Sequence, residues 1–253
     1  MAKTVVIVQA RMTSTRLPGK VMMDLAGHTV LAQVLRRCAA IPGADSVCCA
    51  IPVGNGHDEL VGEIERAGAS VFRGAEKDVL DRYFRAAEFM GADVVMRVTS
   101  DCPLADPDVC GRVLRLITEE AADYACNNMP ASWPHGLDCE AFTFSALEMA
   151  AETARQANER EHVTPWLRSN PGLRKANLPG PGGKAAEQRW TLDFPEDYRF
   201  LVSLFERLPP WPAIPSTAEL LAILARHPDI LDINRQHHNI SRPTVPGARK
   251  EAS

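Results

Sequence analysis

Short apolar runs rich in Val and Ile alternate, through the first half of the chain, with segments in which apolar residues recur every three or four positions. A continuous apolar run suits a strand covered on both faces, and the longer spacing suits an amphipathic helix packed on one side. The pattern predicts strands over 4–9, 46–51, 69–72 and 93–98, with helices over 29–39, 58–67, 78–90 and 106–120 between and after them. Several of these helices open on an Asp or Thr suited to capping, and Pro107 directly after Asp106 stands where a missing N–H costs nothing. Strand and helix in strict alternation imply an α/β fold, a three-layer sandwich with a mostly parallel central sheet.

The rhythm changes near residue 128. Residues 129–138 hold Pro130, Pro134 and Gly136, CEAFTF then reads as a strand, and 145–169 reads as helical with a break near Asn158. Pro and Gly are too dense in LPGPGGKAAEQ, 178–188, for a regular element, so this is a loop, after which RWTLDF reads as a strand. Helices are expected at 196–208 and 216–225, divided by the stiff PPWPAIP segment. The expectation is one domain over 1–240, with 128–180 a less regular subregion, and a flexible tail over 241–253.

Composition narrows the functional classes. The chain has 253 residues, 45% hydrophobic and 24% charged, and no apolar run approaches the ~20 residues that span a bilayer. The apolar run at the start stops at Gln9 without a small-residue cleavage site, so it reads as a buried strand rather than a signal peptide. Seven cysteines, an odd number with no CxxC pair, argue for reduced thiols and a cytoplasmic setting. A net charge of −4 provides no global field to draw the chain onto nucleic acid or an anionic membrane, so neither is expected as a partner. Any phosphate chemistry must use local cations.

The connection after the first strand supplies them. Residues 10–28 run far beyond the ~2–6 residues usual for such a turn, and they carry Arg11, Arg16 and Lys20 at the edge where open parallel sheets bind ligands. Ser14 and Thr15 add hydroxyls, and Pro18 and Gly19 shape the backbone before Lys20. Neither GxxxxGK[ST] nor GxGxxG follows the first strand, which lowers the weight of kinase-like and dinucleotide-binding readings.

QARMTSTRLPGK resembles the signature of the cytidylyltransferases that activate sialic acids and the eight-carbon acid Kdo. From residue 1 to about 235 the chain is similar to the branch named after a spore-coat polysaccharide biosynthesis protein. The resemblance implies a nucleotide-diphospho-sugar transferase-like, Rossmann-like fold, CTP as donor, Mg²⁺ (or Mn²⁺) as cofactor, and a small acidic sugar-like acceptor, in surface polysaccharide or glycan biosynthesis. It implies a loop wrapped around the triphosphate, with Arg11, Arg16 and Lys20 catalytic, and Gln9, Ala10, Ser14 and Ser100 beside them at the nucleotide. Asp78 and Arg82 match a segment that contacts nucleotide or acceptor, although Asp78 also suits an ordinary helix cap.

Two carboxylates complete the site. Asp101 in MRVTSDCPL and Asp193 in RWTLDFPED each follow an apolar strand, so two strands deliver acids to one edge, a donor set suited to magnesium; a turn-cap role for Asp101 stays open. The resemblance makes both metal ligands, while Ser100 replaces a usual glycine and Thr191 an additional Asp. In WPHGLDCEAF, Asp138 and Glu140 lie two apart on one face of an extended strand, beside His135, and the resemblance assigns these three to the acceptor, as it does Arg160 and His162 of NEREHVTPW. An exposed edge strand and a surface-helix histidine are the plainer alternatives. A glycosyltransferase of the same architecture and a non-catalytic nucleotide-binding protein remain rival functions. The resemblance also implies a homodimer paired through 128–180; light scattering should return twice the chain mass, and a monomer mass at assay concentration would contradict it.

Overall fold

The computed structural model describes residues 2–238, so the expected tail over 241–253 lies outside the described residues. In chain order the elements begin with β1 (Thr4–Gln9), a small hairpin of β2 (Asp24–Leu25) and β3 (His28–Thr29), α1 (Val30–Ala39), β4 (Ser46–Pro52), α2 (Asp58–Arg66), β5 (Ser70–Gly74), α3 (Val79–Met90), β6 (Val94–Thr99) and α4 (Pro107–Glu119). There follow β7 (Tyr124–Cys126), β8 (Glu140–Thr143), α5 (Phe144–Thr153), α6 (Ala157–His162), α7 (Pro165–Ser169), β9 (Lys175–Asn177), α8 (Gly183–Ala186), α9 (Pro195–Phe205), α10 (Thr217–Arg226) and α11 (Pro228–Asp232). Among the described residues no helix is long and apolar enough to cross a membrane.

Seven strands form one sheet in the order β5-β4-β1-β6-β8-β7-β9. All pairs are parallel except the two made by β8, which runs against both β6 and β7. The mostly parallel α/β sandwich expected from the pattern is therefore present. Its three layers follow from the period-two alternation of a strand. Val6 and Val8 of β1 enter a core with residues of α1, α2, α4, α9 and α10, while Val5 and Ile7 enter a second core with residues of α3, α5 and α7. All four are fully buried, and each such side chain contributes roughly 1.5–3 kcal/mol of transfer free energy. The chain winds from β1 outward to β4 and β5, then returns to place β6 on the other side of β1. Gln9 and Thr99 end these neighbouring strands side by side, at the switch point where such sheets open a crevice.

The second half departs from the sequence expectation in definite ways. RWTLDF is not a strand; only Arg189 forms an isolated bridge, to His135. Its amides turn elsewhere, Trp190 N–H donating to the His135 carbonyl at 2.6 Å and Leu192 N–H to the Asp101 carbonyl at 2.9 Å, so the segment lies against the sheet's end. The helical stretch over 145–169 is three helices: Gln156 and Glu159 form a capping box that starts α6, and Pro165 starts α7. The loop over 178–188 contains the single turn α8. The long first loop contains the β2/β3 hairpin, and β7 and β9 are strands that the pattern does not announce.

Glu140 also departs from the sequence expectation. It lies on β8, an interior strand between β6 and β7, not an exposed edge facing an acceptor. Its carboxylate is buried between two guanidiniums, with Arg168 Nη2 at 2.5 Å and Arg97 Nη1 at 2.6 Å, and it accepts the Tyr124 hydroxyl. Burial alone would raise its pKa; the charges of Arg168 and then Arg97, with the Tyr124 hydrogen bond, outweigh this and hold it at about 2, below the ordinary 4.5. A depressed carboxyl pKa stabilises the fold fully above the ordinary value, and the contribution is lost as pH falls from about 4.5 through about 2. Glu140→Gln should therefore cost about 3–5 kcal/mol at pH 7, because two buried cations lose their counter-charge, and should flatten the pH dependence of urea unfolding below pH ~4.5. Parallel pH profiles for the two proteins would contradict this role.

Candidate active site

The crevice opens at the carboxyl ends of β1 and β6, between the first loop, the 191–193 segment and the end of α6. At its centre is Lys20. Gly19 takes the left-handed conformation, φ 70°, which glycine adopts without strain, and it turns the chain into a short 3₁₀ turn that opens on Lys20. The Lys20 stem is buried, and its ammonium meets three acceptors: the Leu192 carbonyl at 2.6 Å, Asp101 Oδ2 at 2.9 Å and Asp193 Oδ1 at 3.0 Å. Three donors thereby find three acceptors. Burial disfavours the ammonium, but the charges of Asp101 and Asp193 and their hydrogen bonds outweigh that and raise its pKa. For Asp101, burial pushes upward, while Lys20 and the Thr99 hydroxyl, 2.6 Å from Oδ1, pull harder and hold the carboxyl well below the usual range. Lys20 is therefore charged and Asp101 ionised at neutral pH.

The other cations of the crevice are differently placed. Arg16 is half exposed, donates to Asp193 Oδ1 at 3.0 Å and lies over the Phe194 ring. Arg11 is exposed and makes no hydrogen bond or ion pair among the described residues. Arg82 is buried; its guanidinium donates to the carbonyls of Ala75 and Glu76, its Nε has no partner, and no carboxylate lies within ion-pairing distance. Burial lowers its pKa, and the neighbouring charge of Arg11 lowers it further, against the opposing effect of Tyr83. Two guanidiniums without counter-ions thus face one cavity, an arrangement that an anion relieves.

Gln9, Ala10, Ser14 and Ser100 line the same crevice, and so does His162 at the end of α6. Gln9 Oε1 accepts from Arg97 Nη2 at 3.3 Å, and Ser14 Oγ accepts from the Leu17 amide. The remaining expected site residues are elsewhere. Asp78 caps α3 and pairs with Arg160, whose Nη2 lies at 2.5 Å and Nε at 2.9 Å, so these two tie α6 to α3 outside the crevice lining. Asp138 closes the turn before β8 by accepting from the Gly136 amide at 3.0 Å and from Asn128 Nδ2 at 3.2 Å. His135 Nδ1 lies 3.1 Å from Arg189 Nη1. Thr99, Val79 and Glu161 line the crevice although sequence reasoning passed over them. Thr99 ends an apolar strand at the switch point, and Glu161 directly precedes His162 in NEREHVTPW, so both were within reach of such reasoning.

Asp101 and Asp193 converge on one cation, but all four of their oxygens already accept hydrogen bonds, Asp193 Oδ2 from Arg189. Among the described residues no cluster of three His, Cys, Asp or Glu forms a closed metal cage. Two carboxylates beside a phosphate-sized cationic cradle fit a hard divalent ion that takes its other ligands from phosphate and water. The cysteines do not suit a nucleophile's part: all seven are buried and free, and burial, with the charge of Asp101, pushes the Cys102 thiol well up.

The chain as a whole is similar in sequence and fold to known proteins. The spore coat polysaccharide biosynthesis protein SpsF of Bacillus subtilis is 30% identical over 230 residues, 88% of this chain and 94% of that one. A cytidylyltransferase from Leptospira borgpetersenii superposes with a TM-score of 0.85 at 29% identity, over 91% of this chain and 97% of that chain. A CMP:2-keto-3-deoxy-manno-octonic acid synthetase solved in complex with CTP shares the fold, TM-score 0.64 at 16% identity, over 81% of this chain and 99% of that one. Residues 5–224 match the family model described as cytidylyltransferase, so a mostly parallel sheet with a cationic loop at its switch point is here the framework of an enzyme that belongs to the cytidylyltransferase family.

Proposed function

We propose that this cytidylyltransferase transfers CMP from CTP to a small acidic sugar-like acceptor and releases pyrophosphate, in the synthesis of a surface polysaccharide or glycan. One observation carries the reading: Arg11 and Arg82 face the crevice without carboxylate partners, beside a Lys20 whose ammonium can pass from carboxylate to phosphate. A triphosphate supplies the missing negative charge. The polysaccharide role is carried over from SpsF, and the choice of CTP from the synthetase solved with it.

The oxygen of an acceptor hydroxyl attacks the α-phosphorus and its proton passes to solvent water, while the bond from that phosphorus to the bridging oxygen of the β-phosphate breaks and the pyrophosphate takes the electron pair. Arg11, Arg16 and Lys20 stabilise the charge that builds on the departing group, and positioning with electrostatics suffices for such transfers. Magnesium, held by Asp101 and Asp193, would supply charge neutralisation at the phosphates. His162 and Glu161 stand at the α6 side of the crevice, where they orient the acceptor.

Incubation with CTP, Mg²⁺ and a panel of acidic sugars should release pyrophosphate with at least one acceptor. Lys20→Met and Arg11→Ala should each lower kcat/KM by ~100–1,000-fold, the usual cost of losing one donor at developing charge. Tight CTP binding with no release from any acceptor would count against an enzyme of this specificity and in favour of a nucleotide-binding role.

A further inference from the structure

Asp193 belongs to a segment without regular secondary structure, yet its carboxylate is held with Oδ1 toward Lys20 and Arg16. The hold comes from behind. Arg189 is buried, and its Nη2 donates to Asp193 Oδ2 at 3.2 Å, taking the oxygen that faces away from Lys20. Its fork is fixed by a bidentate pair with Asp197, Nε to Oδ1 and Nη2 to Oδ2, both at 2.9 Å, with Asp197 itself fully buried. Asp197 Oδ2 also accepts the amides of Asp193 and Phe194, at 2.9 and 3.0 Å, so one carboxylate fixes both the arginine and the backbone that carries Asp193.

Two braces come from distant parts of the chain. Asn234, buried after α11, donates its Nδ2 to Asp197 Oδ1 at 3.0 Å and to the Arg189 carbonyl at 2.9 Å. The turn at His135 docks on the other side: its amide donates to the Gln188 carbonyl at 2.9 Å, and Nδ1 faces Arg189 Nη1. An arginine can only donate, so His135 Nδ1 accepts, which makes this ring nitrogen the unprotonated one. Gly136 permits the docking, because a Cβ there would stand 2.6 Å from the Thr191 amide nitrogen and from the Trp190 carbonyl carbon.

We propose that Arg189 is the positioning residue for Asp193: braced by Asp197, Asn234 and His135, it takes one carboxylate oxygen and presents the other to the cation of the crevice. The inference rests on the reading of Asp193 as a ligand of a divalent ion. It gives a different task to the PHG turn, whose His135 the family resemblance directs at an acceptor. Arginine is required because a planar fork reaches two carboxylates and a ring nitrogen at once, which the point charge of lysine cannot do.

Mn²⁺ binding, followed by electron paramagnetic resonance with CTP present and acceptor absent, tests this separately from turnover. Arg189→Met and Arg189→Lys should weaken Mn²⁺ binding by ~10–100-fold, as loss of a partner behind a metal ligand does, with CTP affinity in EDTA unchanged by calorimetry. Asn234→Ala, which removes one brace and leaves every ion pair, should weaken Mn²⁺ in the same direction by a smaller factor, and it decides the matter where the Arg189 variants do not fold. Folded Arg189→Lys or Asn234→Ala protein that binds Mn²⁺ as tightly as wild type overturns the proposal. Asp193→Asn is the control for the underlying reading: if it binds Mn²⁺ like wild type, or wild type binds none, the ligand role of Asp193 fails and this inference with it.

Discussion

The Lys20 ammonium joins three parts of the chain at one point. It extends from the loop after β1 to the carboxylate that follows β6 and to the segment before α9, bridging sequence separations of 81 and 173 residues. Bringing a cation and two carboxylates into a partly buried crevice is costly unless their charges and hydrogen bonds close on one another, and here all three donors of the ammonium are matched. The rest of the site is arranged around this contact. Gly19 sets the turn that delivers Lys20, Thr99 orients Asp101, and Arg189 with Asp197 orients Asp193.

Charge is distributed unevenly about this node, and that unevenness is what a ligand senses. Beneath the sheet's end, Glu140 answers Arg97 and Arg168, while Asp78 answers Arg160. In the crevice, Arg11 and Arg82 have no such answer among the described residues. An incoming polyphosphate would compete with two carboxylates for Lys20 and would find two further guanidiniums that no carboxylate holds in an ion pair among the described residues, Arg82 donating only to the carbonyls of Ala75 and Glu76. Its arrival would also release Asp101 and Asp193 from the ammonium, so the same exchange that grips the phosphate frees oxygens for a divalent ion. On the proposed function, phosphate and metal would be coupled through this one side chain.

Much of this was legible in the residues. Continuous apolar runs marked β1, β4 and β6 because both faces of those strands are covered, and a long cationic loop at a switch-point edge marked the crevice. The parts that escaped depend on partners remote in sequence. β7 and β9 are three residues each and exist through their pairing, Tyr124 with Lys175, across about fifty positions. RWTLDF has a strand-like alternation, but its amides bond to the His135 and Asp101 carbonyls, which no local pattern reveals. Asp138 and Glu140 read as one acidic face; the structure sends one into a turn and buries the other between arginines contributed by β6 and α7. Resemblance to a family names residues, whereas only the packed chain shows which of them reach the cavity and which brace it.

A crystal structure of the protein with a non-hydrolysable CTP analogue and Mg²⁺ tests the central claim most directly. The account predicts the Lys20 ammonium on a phosphate oxygen, the analogue's phosphates between Arg11, Arg16 and Arg82, and the ion on Asp101 and Asp193. Phosphates bound away from these arginines, with Lys20 still locked between the two aspartates, would contradict it.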